Sequence, residues 1–167
     1  MMNINIAERN NELSREVPFS FTTTAAKLSL NEADYDLLGD INVSGKAVYT
    51  GNSWRVSGVI ELVKAFVCDR CLKDCQEAQR QEFSEDYVRE ETAAQDEEAN
   101  VFSGDVLDIQ TMIKDTIVAA QSISNICQPD CKGLCPVCGA NLNDGDCGCD
   151  RFVPDPRMAA LQQLLKK

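Results

Sequence analysis

The sequence predicts an α+β fold: an antiparallel sheet or partly open barrel, a packing helix, and a C-terminal four-cysteine module. Three patterns carry that expectation. Apolar and polar residues alternate through the first half of the chain, most clearly in a long hairpin over 41–67. Between Ile109 and about Ser124, apolar residues recur at helical spacing. Six of the nine cysteines crowd into the twenty-three residues CQPDCKGLCPVCGANLNDGDCGC, from Cys127 to Cys149.

Taken in order, residues 3–8 (NINIAE) alternate as a half-buried strand does. Val17–Thr23 alternates again, with Phe19 and Phe21 on one face. Residues 27–40 are mixed and read as a short helix or loop ending at Gly39. Ile41–Thr50 then forms one strand, Gly51-Asn52-Ser53 the turn, and Trp54–Val67 a long returning strand. Trp54, Val56, Ile60 and Leu62 share one face of it, and Val59, Val63, Ala65 and Val67 the other. Apolar residues on both faces place that strand at the centre of a sheet, or under cover on both sides. Gly58 marks a bulge or a crowded crossing. The strand leads into Cys68-Asp69-Arg70-Cys71, and Gln76–Val88 is expected to return beside it, which sets this CxxC at a hairpin tip.

Residues 90–104, EETAAQDEEANVFSG, read as a mobile acidic linker. Asp108 is the expected N-cap of the 109–124 helix, whose Ile109, Met112, Ile113, Ile117 and Ala120 make a core-facing stripe. Asp155-Pro156-Arg157 opens a short closing helix with Met158, Leu161, Leu164 and Leu165 on its apolar face. The expected division is a β-rich core at 1–89, an acidic linker at 90–107, a packing helix at 108–126, and the cysteine module with its closing helix at 127–167.

The 167 residues suit one medium domain, or a domain with a small appendage. With 27 acidic against 16 basic side chains the net charge is -11, which argues against a generic nucleic-acid binder and against DNA as a partner. The charge is local. Ten acids and one base (Arg89) lie between Glu82 and Asp108, leaving 17 acids and 15 bases elsewhere. The N-terminus lacks the basic start and apolar stretch of a signal peptide, and no apolar run approaches the ~18 residues a bilayer requires. A cytoplasmic location without a membrane partner is therefore expected. Catalysis is not expected either. There is no histidine to activate a nucleophile, no GxxxxGK[ST] or GxGxxG loop, and no rigid carboxylate pair.

In a reducing compartment, clustered thiols serve as metal ligands more often than as disulfides, and an odd count of nine agrees. Eight of them fall into four close pairs: Cys68/Cys71, Cys127/Cys131, Cys135/Cys138 and Cys147/Cys149. Cys135-Pro136-Val137-Cys138-Gly139 is a turn that aims two thiolates at one point, and Cys147 and Cys149 follow after a short loop. That is ligand spacing for a tetrahedral all-thiolate zinc site, with Zn–S distances of about 2.3 Å and no open position for water. Cys68 and Cys71 are then left to join Cys127 and Cys131 across the acidic segment, which predicts two zinc ions, and at least one. Two alternatives stand beside this pairing. Cys68 and Cys71 are ordinary thiols at a strand end, or Cys127 and Cys131 serve the C-terminal site. Cys75 has no partner at ligand spacing. A dithiol oxidoreductase is the competing chemistry for a CxxC, but no helix clearly follows Cys68 and no βαβ pattern surrounds it.

A strand leading to CDRCL, an acidic segment, a helix opening at Asp108, then CKGLCPVCGANLN, CGC and DPR together resemble the YceD-like family, from about Val43 to Leu165. Those proteins are described as large ribosomal RNA subunit accumulation proteins. The resemblance implies a cytoplasmic, non-enzymatic bacterial factor for accumulation or assembly of large-subunit ribosomal RNA. Some members keep the CxRC pair and the equivalent of Cys127/Cys131 without the downstream cysteines, which implies that Cys68, Cys71, Cys127 and Cys131 form one self-contained site. Cys75 lies outside the family motif. The partner is expected to be the ribosomal RNA precursor or a basic ribosomal protein. RNA contact would fall on bases near the cysteines: Arg70, Lys132, Arg151 and Arg157, with Lys73, Lys166 and Lys167. A basic protein would meet the acidic stretch 82–108. A zinc-stabilised interaction adapter unrelated to the ribosome is the alternative function, with the oxidoreductase behind it.

Overall fold

The computed structural model describes residues 2–7, 16–30, 36–91, 100–151 and 157. The chain divides into two compact units, Met1–Phe66 with Gln76–Ile123, and Val67–Cys75 with Ser124–Lys167. This partition differs from a cut at 126/127, because the hairpin tip at 67–75 groups with the cysteine-rich end.

The first unit is mostly sheet. Its strands are β1 (Asn3–Asn5), β2 (Glu16–Thr23), β3 (Leu37–Tyr49), β4 (Ser53–Val67), β5 (Asp74–Arg89), β6 (Asn100–Phe102) and β7 (Val106–Asp108), followed by α1 (Gln110–Ala119). β2 to β6 form a five-stranded sheet in chain order, and β1 pairs with β7 in a separate two-stranded sheet. The strand order follows from short connections, and β4 and β5, joined only by 68–73, must run antiparallel. β6 runs parallel to β5, with Tyr87 opposite Asn100 and Arg89 opposite Phe102, so the sheet is mixed rather than purely antiparallel. The segment read as a linker is thus partly strand: β6 and β7 occupy 100–102 and 106–108, and 92–99 lies outside the described residues. β7 is held by the N-terminal strand, with Ile4 opposite Leu107.

Period-two alternation decides which side chains are buried. Val17, Phe19, Phe21 and Thr23 on β2 face the same way as Ile41, Val43 and Ala47 on β3 and Trp54, Val56, Ile60 and Leu62 on β4. β4 is central, as its two apolar faces suggested, and its second face stays partly open, with Val67 50% exposed. Gly58 proves to be a crowded crossing. It pairs with Gly45, and a Cβ on either glycine would collide with a neighbouring carbonyl oxygen, that of Ser57 at Gly45 and that of Ser44 at Gly58. The missing side chains leave a trough in which Phe19 of β2 and Phe83 of β5 stack, their centroids 6.5 Å apart. Three strand spacings would otherwise separate those strands by about 14 Å.

The 27–40 stretch departs from expectation. A single 3-10 turn covers Ala26–Leu28, and β3 already begins at Leu37. Gly39, at φ 70°, lies inside β3 at a bulge where the register against β4 shifts between Leu38 and Asn42.

α1 is shorter than its periodicity suggests. Asp108 ends β7, and its carboxylate accepts the Gln110 N–H at 3.0 Å, so it does serve the helix start. Met112, Ile113 and Ile117 are buried in the core with Ile109. The helix stops at Ala119 because Ser122-Ile123-Ser124-Asn125 are weak helix formers, and the Gln121 side chain caps the Ile117 carbonyl at 2.9 Å. Among the described residues no helix is long and apolar enough to cross a membrane. The expected closing helix from Asp155 lies outside the described residues, Arg157 excepted.

Candidate metal centres

In the second unit two loops share one design. At the hairpin tip the Leu72 N–H donates to the Cys68 carbonyl at 2.9 Å, and in CPVCG the Gly139 N–H donates to the Cys135 carbonyl at 2.8 Å. Each loop closes a single turn that brings its two cysteines to one side. The residue after the second cysteine adopts positive φ in both, Gly139 at 74° and Leu72 at 56°. Glycine takes that conformation freely, whereas leucine does so at a cost of about 1 kcal/mol.

Eight sulfurs assemble into two groups of four. Cys68, Cys71, Cys127 and Cys131 form one and Cys135, Cys138, Cys147 and Cys149 the other, the sulfurs of each within 4.8 Å of one another. In the first group, Cys68 Sγ lies 3.9 Å from Cys131 Sγ and Cys71 Sγ 3.7 Å from Cys127 Sγ. A tetrahedron with arms of about 2.3 Å has edges of about 3.8 Å, while a disulfide would need about 2.05 Å. The spacing therefore fits a four-thiolate metal site and excludes disulfides between these partners. Cys75 is left outside both groups, half-buried against the first, its thiol donating to the Lys73 carbonyl at 3.4 Å.

The polar residues of the motif hold the grouped cysteines in place. The Asp69 carboxylate accepts the Asn125 N–H at 2.7 Å and the Ser124 hydroxyl at 3.3 Å, anchoring the chain just before Cys127. Arg70 Nη1 donates to the Cys131 carbonyl at 3.0 Å, and the Arg70 carbonyl accepts the Leu134 N–H. Gly133, at φ 73°, lies against Arg70, where a Cβ would come within 3.0 Å of its carbonyl oxygen. Leu134 and Asn141 bridge in antiparallel fashion, so CKGLCPVCGANLN is a small hairpin with the second loop at its tip. Its return arm reaches the first group: Asn143 Nδ2 donates to Cys131 Sγ at 3.4 Å, and Asn143 Oδ1 accepts the Lys132 N–H at 2.8 Å. One hairpin thus ties the two sulfur groups together.

These donors bias the thiols toward the thiolate that a metal requires. The Cys127 N–H, with that of Cys71, pulls Cys68 down to about 6. The Asn143 amide holds Cys131 below the ordinary thiol range. The Cys138 and Val137 N–H groups pull Cys135 down to about 6. Their partners move the other way: burial pushes Cys127 up to about 12, and the Cys138 and Cys147 sulfurs push Cys149 there too. Four thiols packed together cannot all ionise without a cation to share the charge.

The four bases singled out for a partner fare differently. Arg70 already uses one nitrogen on Cys131, and Arg151 pairs with Asp146 at 3.0 Å. Lys132 and Arg157 are exposed. Sequence reasoning missed Asp69 and Asn143, whose signal was a small polar residue at a fixed offset from a ligand pair.

An uncharacterized protein of Mycobacterium bovis is 29% identical over 143 residues, which cover 83% of this chain and 67% of its own. A chloroplastic protein of Arabidopsis thaliana, named large ribosomal RNA subunit accumulation protein YCED homolog 1, is 40% identical over 58 residues, 35% of this chain and 18% of its own. Its namesake in Zea mays is 46% identical over 44 residues, 26% of this chain and 15% of its own. No solved structure matches the chain. Residues 56–165, which include all eight grouped cysteines and most of the five-stranded sheet's second half, match the family described as large ribosomal RNA subunit accumulation protein YceD, and the chain belongs to that family.

Proposed function

We propose that each sulfur group holds one zinc ion, and that the module so fixed serves ribosome biogenesis in the cytoplasm, supporting large-subunit ribosomal RNA accumulation without catalysing a reaction. Family membership over 56–165 is the observation that carries the ribosomal role. The geometry supports a structural metal. Four thiolates close the coordination sphere, and zinc supplies apparent folding free energy of about 10 kcal/mol or more at such a site. Burial supports the same use over redox exchange, since Cys68 is 0% and Cys71 6% exposed, out of reach of a disulfide substrate.

The partner is the ribosomal RNA precursor or a basic ribosomal protein. Seven acids and seven bases make the second unit neutral, and two four-thiolate zinc sites would take it to about -4, a poor surface for phosphates. Charge therefore favours a protein partner. Depletion of the protein followed by sucrose-gradient profiles tests the role: a deficit of mature large subunits is expected, and normal levels would remove the ribosomal reading. Native mass spectrometry should count two zinc ions per chain, and a chain carrying none would sink the metal assignment. Capture of a ribosomal protein should survive nuclease, whereas capture lost on nuclease treatment would assign the contact to RNA.

A further inference from the structure

We propose that the groove between β5 and α1 docks a basic peptide segment, which joins the sheet as an extended strand. β6 covers β5 only at Tyr87, Val88 and Arg89. Among the described residues, no strand lies on that side of 81–86, and its outward N–H and C=O groups face no described strand. Beside this edge is a groove of about 640 Å³, with 81–85 along one wall and, along the other, α1 from Met112 to Ala119 and the residue after it, Ala120. This is the geometry of strand addition, in which backbone bonds supply affinity and the flanking side chains select the sequence.

The side chains specify a basic occupant. Phe83 and Met112 give the groove an apolar floor, and Glu82, Glu85 and Asp115 line it. None of those three carboxylates forms an ion pair or hydrogen bond with another described residue. A lysine or arginine can lay its aliphatic stem on such a floor and bring its charge to the carboxylates. The wider field points the same way, because the first unit carries 20 acids and 9 bases, the whole of the -11 net charge. The strand that occupies the groove thus belongs to a basic partner protein. This inference rests on the ribosomal reading only in taking that partner to be a ribosomal protein; the groove's preference stands without it.

The test uses the full zinc-loaded chain and fluorescence anisotropy. The probes are a short labelled peptide alternating lysine with valine, its glutamate counterpart, two forms of the lysine peptide N-methylated at every valine or at every lysine backbone nitrogen, and a single-stranded RNA. The lysine–valine peptide should bind and weaken with added salt, the glutamate peptide should not bind, and the N-methylated form that blocks the edge-facing N–H groups should bind about tenfold more weakly than the other. Glu82→Gln/Glu85→Gln/Asp115→Asn should cost about tenfold in affinity. Asp36→Asn/Asp40→Asn/Glu61→Gln, an equal change of charge on exposed positions of the same unit, should cost less than about twofold. Equal losses in the two triple variants would reduce the effect to general attraction and overturn the site. Equal binding of both N-methylated peptides and the parent would overturn strand addition, and RNA competing the peptide away would reassign the groove. Normal ribosome profiles with peptide binding intact would refute the ribosomal reading alone.

Discussion

At Asp69 one carboxylate collects the Asn125 N–H and the Ser124 hydroxyl, and at Asn143 one amide reaches Cys131 Sγ. Neither belongs to the sulfur group, yet each holds the chain or a sulfur of that group in place. Partners of this kind usually contribute 10–100-fold to metal affinity, roughly the range expected here. Asp69→Ala should therefore weaken zinc at the Cys68 group about tenfold or more in competition with a chromophoric chelator, while a saturated chain still holds two ions. An unchanged affinity would leave Asp69 as a loop anchor only. Tyr87 offers a different readout. Burial, and then the charges of Asp108 and Glu85, push its hydroxyl up to about 12. The unfolded chain ionises its tyrosines near about 10, so above that pH the unfolded state has lost a proton that the folded state keeps. Stability should fall as pH rises from about 10 toward 12, and Tyr87→Phe should flatten that part of the curve in denaturant titrations.

Among the elements, the 41–67 hairpin was legible because both strands are long enough to show a period, and the turn residues sit between them. β6 and β7 were not legible. Three residues show no periodicity, the parallel pairing of β6 has no local signal, and the surrounding acids imitate a linker. The helix end was overrun for a related reason, since Ala120 continues the apolar stripe while weak formers beyond it end the turn. The glycine pair was visible as Gly58 alone; its partner and the two phenylalanines belong to other strands. Gly58→Ala should destabilise the first unit by about 3 kcal/mol, because the carbonyl of Ser44 is backbone and cannot swing away. Thermal or denaturant unfolding checks this, and trimming the ring as well in Gly58→Ala/Phe83→Ala should restore little, since the backbone collision remains.

For the whole molecule, the eight grouped cysteines stood out because they fall into close pairs along the chain. The joining of Cys68 and Cys71 to Cys127 and Cys131 was open to alternatives on spacing alone. The geometry brings those four together, and both sulfur groups fall in one compact unit. Metal removal should therefore act regionally. Chelation should speed amide exchange over 67–75 and 124–151, while β2, β3 and the middle of β4 keep their protection; uniform loss would mean that the two units unfold as one.

The first sulfur group also has a history written into its order of synthesis. Cys71 and Cys127 are 56 positions apart, and Cys68 and Cys131 63. A nascent chain displays the hairpin tip with two of the group's four sulfurs long before the other two have been translated. A lone dithiol would hold the proposed metal weakly, so the four-sulfur site can fill only after Cys131 has emerged. A molecule interrupted before Cys127 would carry the tip without that site.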